Sequence, residues 1–172
     1  LELAGHLLKS RNPKKGEKAI MELIETPDLD EQLLEEACEL LEQVGSYELA
    51  LEGYGKARSL NPRKALQLYR MGILLEMQGR LDEAIELHGK AIALERDNPE
   101  CYYRLGVAYT KNHQYDEAEA QYRKAIDIDP THSKSYTNLG YILDLQGKRE
   151  SALLQFRKAV QHNPKSAEAH FN

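Results

Sequence analysis

The dipeptide Tyr69-Arg70 returns further along the chain as Tyr103-Arg104, and the same step taken again from Arg104 reaches Asn138. Arginine grips a carboxylate with two parallel N–H bonds, asparagine both donates to and accepts from a peptide backbone, and tyrosine offers a ring with a polar tip. At helical spacing Ile73 joins the first set, Val107 and Lys111 the second, and Lys134, Thr137 and Tyr141 surround Asn138 in the third. Rings, short apolar patches and hydrogen-bond donors on one face suit peptide recognition. The candidate partner-binding residues are therefore Tyr69, Arg70, Ile73, Tyr103, Arg104, Val107, Lys111, Lys134, Asn138 and Tyr141.

Other chemistry finds no support. No paired carboxylates fall in a predicted cleft and no nucleophile has a base at usable spacing, so no catalytic residue is assigned and this chain is read as a non-enzyme. Gly53-Tyr54-Gly55-Lys56 lies inside a helical pattern, without the strand that a phosphate-cradling loop follows. His6, His88, His113, His132, His162 and His170 never approach acids or thiols at metal-binding spacing, so neither metal nor cofactor is expected. Cys38 reads as a small buried thiol, and Cys101 stands too far along the chain for a disulfide with it to be expected, which fits a reducing, cytoplasmic setting.

The elements that must position the candidate residues come from a repeat. Glu31–Lys64, Ala65–Asn98, Pro99–His132 and Ser133–Ser166 align without a gap at one fixed period. One column reads Ala50, Ala84, Ala118, Ala152 and another Ala57, Ala91, Ala125, Ala159. Small residues fill a third (Cys38, Gly72, Gly106, Gly140) and rings a fourth (Tyr54, His88, Tyr122, Phe156). A constant period of about 34 residues means stacked helical units. Within Ala65–Asn98, apolar residues recur at three- and four-residue steps from Leu68 to Ile92, broken at Gln78-Gly79, so each unit is a pair of antiparallel helices. Gly45, Gly79 and Gly147 share that turn column and His113 replaces them in the third unit. Asn98-Pro99 reads as a cap followed by a first-turn proline. Residues 1–30 form a degenerate partial unit with Ala4 in the glycine column, and 167–172 open a new, truncated one. The chain is thus expected to be one array, read as a fragment of something longer.

Tyr102…Leu105-Gly106…Tyr109…Asp116-Glu117-Ala118…Tyr122…Ala125…Pro130, repeated as Tyr136…Leu139-Gly140…Ala152…Phe156…Ala159…Pro164, resembles the tetratricopeptide repeat (TPR). The resemblance implies an all-α, right-handed superhelical solenoid of antiparallel helix pairs, whose first helices line a concave groove holding a peptide or protein segment. Family members that clamp the acidic carboxyl terminus of heat-shock chaperones use Lys and Asn at set places in three first helices. Here those places hold Glu35 and Glu39, then Arg70, then Glu100 and Arg104, and that assignment is rejected. The column Arg70, Arg104, Asn138, Asn172 is partly similar to the asparagine ladder in the TPR region of O-linked N-acetylglucosamine transferases.

Charge is uneven along the array. Glu31–Lys64 carries seven acids against four bases, and Ser133–Ser166 two acids against six bases, within an overall net charge of −5. Opposite ends then prefer opposite charges on a partner or a second copy. Without a continuous basic stripe, nucleic acid is not an expected partner. No apolar run approaches the ~20 residues of a membrane span, so no membrane insertion is expected. An apolar face carrying Leu153, Phe156 and Val160 near the end of the repeats predicts end-to-end self-association. The function expected is a non-catalytic protein-interaction scaffold. The alternatives are the substrate-recruiting arm of a larger enzyme such as a glycosyltransferase, or an assembly factor for a secretion, pilus or organelle system.

Overall fold

The computed structural model describes residues 13–26 and 29–164. Asn172, Ala4 and the new unit expected at 167–172 lie outside the described residues. Among the described residues there are helices and no strand. In chain order they are α1 (Pro13–Ile24), α2 (Glu31–Gln43), α3 (Tyr47–Leu60), α4 (Ala65–Met77), α5 (Leu81–Leu94), α6 (Pro99–Lys111), α7 (Tyr115–Ile128), α8 (Ser133–Leu145) and α9 (Arg149–His162). From α2 onward, helices of 13 and 14 residues alternate, as a strict sequence period demands. Among the described residues none is long and apolar enough to cross a membrane.

Local chemistry starts and stops these helices. Asp30 caps α2 by accepting the N–H groups of Gln32 and Leu33 at 2.9 and 3.2 Å, and Asn98 caps α6 by accepting that of Glu100 at 3.0 Å. Pro99 sits in the first turn of α6, where its missing N–H costs nothing. Gly45, Gly79 and Gly147 close the first helices at φ values of 79°, 74° and 77°. His113 adopts φ 60° at the same place, a conformation that an L side chain takes reluctantly. The turn it forms is nonetheless the same, with Gln114 N–H reaching back to Tyr109 O at 2.9 Å as Ser46 reaches Leu41.

The chain divides into two compact units, Leu1–Gly79 and Arg80–Asn172. In the first, α1 lies on α2 and α3, and the core gathers Ile20, Ile24, Leu34, Cys38, Leu41, Tyr54 and Leu74. Here α3 approaches α2 closely: a Cβ on Gly53 would fall 2.5 Å from Cys38 Sγ. Cys38 occupies the column that elsewhere holds glycine, so the bulk added at Cys38 is matched by bulk removed at Gly53. In the second unit the roles are the usual ones. A Cβ on Gly106 would meet Tyr122 Cε1 at 2.6 Å, and one on Gly140 would meet Phe156 Cε1 at 2.7 Å. Tyr122 is fully buried there beside Ala118, Leu139, Ile142 and Leu143. Both cysteines are buried and unpaired. Burial, with Glu42 nearby, pushes the Cys38 thiol up to about 12, and burial near Glu95 pushes Cys101 up to about 11, so neither is a thiolate at neutral pH.

Candidate functional site

The candidate residues fall on first-helix surfaces in both units. In the first unit, Tyr69, Arg70 and Ile73 are half-buried on α4. Opposite them α2 presents Glu31, Glu35, Glu39 and Glu42, spaced a helical turn apart. Lys64 Nζ lies 3.0 Å from Glu31 and 2.6 Å from Glu35, and the buried Gln67 amide donates to Glu35 at 2.8 Å. Arg70 reaches Glu39 at 2.7 Å and Glu42 at 3.4 Å, so its guanidinium is already engaged within the protein. The Glu35 and Glu31 carboxylates hold the Lys64 amine above its usual range, and Lys64 holds Glu31 below the usual carboxylate value. Tyr54 donates to Glu42 at 2.6 Å, and burial together with that bond pushes its phenol upward.

The second unit carries seven of the ten candidates, and several converge on one ring. Tyr103, half-buried on α6, has Arg104 at 5.5 Å and Lys134 at 5.7 Å from its ring centroid. The rings of His132 and Tyr122 lie 5.3 and 6.1 Å away. Each cation gains on the order of 0.5–1 kcal/mol from the ring's negative face at such a partly exposed site. Glu100, in the first turn of α6 where the helix dipole favours an acid, ties the group together. Its Oε1 accepts from Arg104 Nε at 3.2 Å, while His132 Nε2 and Lys134 Nζ lie 3.2 and 3.9 Å from its Oε2.

His132 reaches this position because it caps α8. Its Nδ1 accepts the Ser135 N–H at 3.3 Å, which leaves the ring proton on Nε2 facing Glu100. Asn138, one turn further along α8, donates to the Tyr122 hydroxyl at 3.4 Å, and Thr110 Oγ1 lies 2.9 Å from the same oxygen. Tyr122 therefore touches both neighbouring first helices, α6 through Tyr103 and α8 through Asn138. Val107 packs against the same core, Lys111 is exposed in the last turn of α6, and Tyr141 stands 51% exposed one turn before Leu145, itself 48% exposed. The surface thus grades from charged at the helix starts to apolar near the end of α8.

The sequence pattern singled out neither Glu100 nor His132 for this cluster and assigned Tyr122 to packing. A signal existed: Glu100 and Lys134 share one column of the repeat, and His132 stands two places before Lys134. Residues in one column sit on adjacent first helices. Among the described residues no group of three His, Cys, Asp or Glu is placed to hold a metal ion.

No curated protein matches the sequence. Of solved structures, a crystal structure of MamA superposes with a TM-score of 0.77 at 24% identity, over 95% of this chain and 96% of that one. YrrB, described as a TPR protein with an unusual peptide-binding site, gives 0.71 at 21% identity, over 96% and 87%. The first TPR of Spaghetti (RPAP3), bound to the HSP90 peptide SRMEEVD, gives 0.59 at 25% identity, over 62% and 86%. Tetratricopeptide-repeat sequence models match residues 34–93, 99–132 and 121–153, and a further TPR model matches 77–113. Those matches run in tandem across more than half of the chain, on helices of the expected length and turn chemistry, and the chain belongs to the tetratricopeptide-repeat family.

Proposed function

We propose that this chain is a non-catalytic protein-interaction scaffold that holds a peptide or protein segment on its first-helix surface. In the second unit the grip comes from Tyr103, Arg104, Val107 and Lys111 of α6 with Lys134, Asn138 and Tyr141 of α8. In the first unit, taken by itself, the candidate set is Tyr69, Arg70 and Ile73 of α4. The observation that carries the reading is the convergence on Tyr103 of two cations, a second ring and, through the Tyr122 hydroxyl, an asparagine amide. That set offers a flat apolar contact, carboxylate recognition and backbone hydrogen bonding within one helix pair. The peptide-bound Spaghetti domain supports the reading by analogy of fold. Two buried, unpaired thiols suit a reducing cytoplasmic setting.

The test is a pull-down comparing wild type with a chain carrying Tyr103→Ala, Asn138→Ala and Tyr141→Ala, with circular dichroism confirming equal helicity. The reading requires that partners held by wild type are lost from the variant. Equal recovery by both would remove the α6/α8 surface from consideration.

A further inference from the structure

We propose that the α2/α4 surface of the first unit holds a separate ligand site, a cradle for a lysine side chain of a partner segment. The carboxylates of Glu31 and Glu35 and the amide oxygen of Gln67 form it. The site stands apart from the α6/α8 surface and does not depend on it.

Two observations carry the proposal, and the first is charge. Glu31, Glu35, Glu39 and Glu42 of α2 face this surface, and α2 has no lysine or arginine of its own. The cations that meet them are Lys64, from the turn before α4, and Arg70 of α4. Four acids against two bases leave the surface negative, so an added cation is attracted. The second observation is an acceptor without a donor. Gln67 is fully buried, and its Nε2 donates to Oε1 of Glu31 at 3.3 Å and to Oε1 of Glu35 at 2.8 Å. Those bonds orient the amide, yet its Oε1 meets no donor among the described residues. A buried carbonyl in that state calls for a donor from elsewhere.

Lys64 displays the chemistry that fits. Its Nζ lies 3.0 Å from Glu31 Oε1 and 2.6 Å from Glu35 Oε1, the same two oxygens that hold the Gln67 amide. An ammonium carries three N–H donors, and Lys64, tied to the backbone at the start of α4, reaches the two carboxylates with its own. A lysine arriving from outside is not held to that approach and directs its third N–H to Gln67 Oε1. Lys64 keeps 34% of its side-chain surface in water, and ion pairs at that exposure hold weakly, so it swings aside at little cost. Asn61 also bonds the Glu31 carboxylate and keeps it in place. Guanidinium is planar and fits a three-sided cradle less well than the compact ammonium. One turn further along α2, about 5.4 Å away, Glu39 is 46% exposed and meets Arg70 through Oε1. An extended segment repeats its side chains on one side every ~6.6 Å, so a second base two residues on falls near Glu39. The segment that fits therefore reads Lys-x-Lys.

The experiment titrates the isotope-labelled full chain with the peptide acetyl-Lys-Gly-Lys-amide and follows the Gln67 side-chain amide signals by NMR. Those signals should shift and saturate, with acetyl-Arg-Gly-Arg-amide binding more weakly. Lys64→Met, which removes the competing ammonium and keeps the stem, should tighten binding by roughly twofold to fivefold. Glu35→Gln should weaken it. Gln67→Met should erase the preference for lysine over arginine, which a merely acidic surface would not do. Lys64 and Glu35 are partly exposed, so those two variants carry the test even if Gln67→Met fails to fold. No response at Gln67, equal affinity for the arginine peptide, or unchanged or weaker binding by Lys64→Met overturns the proposal. Shifts at Gln67 that grow with protein concentration before any peptide is added would give the site to a second copy and overturn the partner assignment. Tyr103→Ala should leave the titration unchanged. If it abolishes binding, the peptide sits on the α6/α8 surface, which strikes this site and leaves that reading standing.

Discussion

At the scale of single residues, space decides what a glycine is for. Gly106 sits under the Tyr122 ring with no room for a Cβ, whereas a Cβ on Gly55 meets nothing within 4 Å. Gly106→Ala should therefore destabilise by about 1–3 kcal/mol through overpacking against a ring that cannot retreat. Gly55→Ala should stabilise by about 0.5–1 kcal/mol, since only the helix-propensity gain remains. Urea melts that order the two variants the other way would contradict this packing. Lys64 and Glu31 supply a pH test at the same scale. Lys64 is raised from 10.5, so its contribution is complete below that value and is lost as pH climbs through the folded value. Glu31 is lowered from 4.5, so its contribution is complete above 4.5 and is lost as pH falls through the folded value. The difference in Tm between wild type and Lys64→Met should be largest between those limits and shrink on both sides. A difference independent of pH would mean that Lys64 matters only through its aliphatic stem.

At the scale of elements, neighbouring helices compensate one another. Cys38 on α2 and Gly53 on α3 exchange bulk across one contact, so Gly53→Ala should cost about 1–3 kcal/mol alone. Adding Cys38→Gly should restore most of that loss, because the pair in contact couples. A double mutant whose loss equals the sum of the two single losses would show that the contact is not shared. A second regularity ties the ends of α4, α6 and α8 to the second helix of the preceding pair. Gln78 donates to Glu48, Asn112 to Asp82 and Gln146 to Asp116, at 3.0, 3.0 and 3.1 Å. The amide just past one first helix thus meets the acid that opens the preceding second helix, at the same sequence separation each time. An acid in the first turn of a helix is favoured by the positive end of the dipole, which is a local effect. Its amide partner is not set locally, since the pairing depends on how one helix pair lies against the next.

At the scale of the whole molecule, the exposed face of α9 carries the proposal of self-association. Leu153 and Leu154 are each 52% exposed and Val160 36%, while Phe156 turns inward over Gly140. Light scattering should report a mass that rises with concentration, and Leu153→Glu with Leu154→Glu should suppress the rise. A constant monomer mass for wild type would end the proposal. Helix pairing, helix length, the turn positions and the cap at Asn98 followed from the sequence, because periodicity, dipoles and backbone donors act within a few residues. The repeat period also named which columns become neighbours. Only the tertiary structure decided that Arg70 meets Glu39 and Glu42, that Gly53 makes room for Cys38, and that Glu100 and His132 converge beside Tyr103. Those outcomes turn on side-chain direction and on the distance between helices, and a linear pattern carries neither.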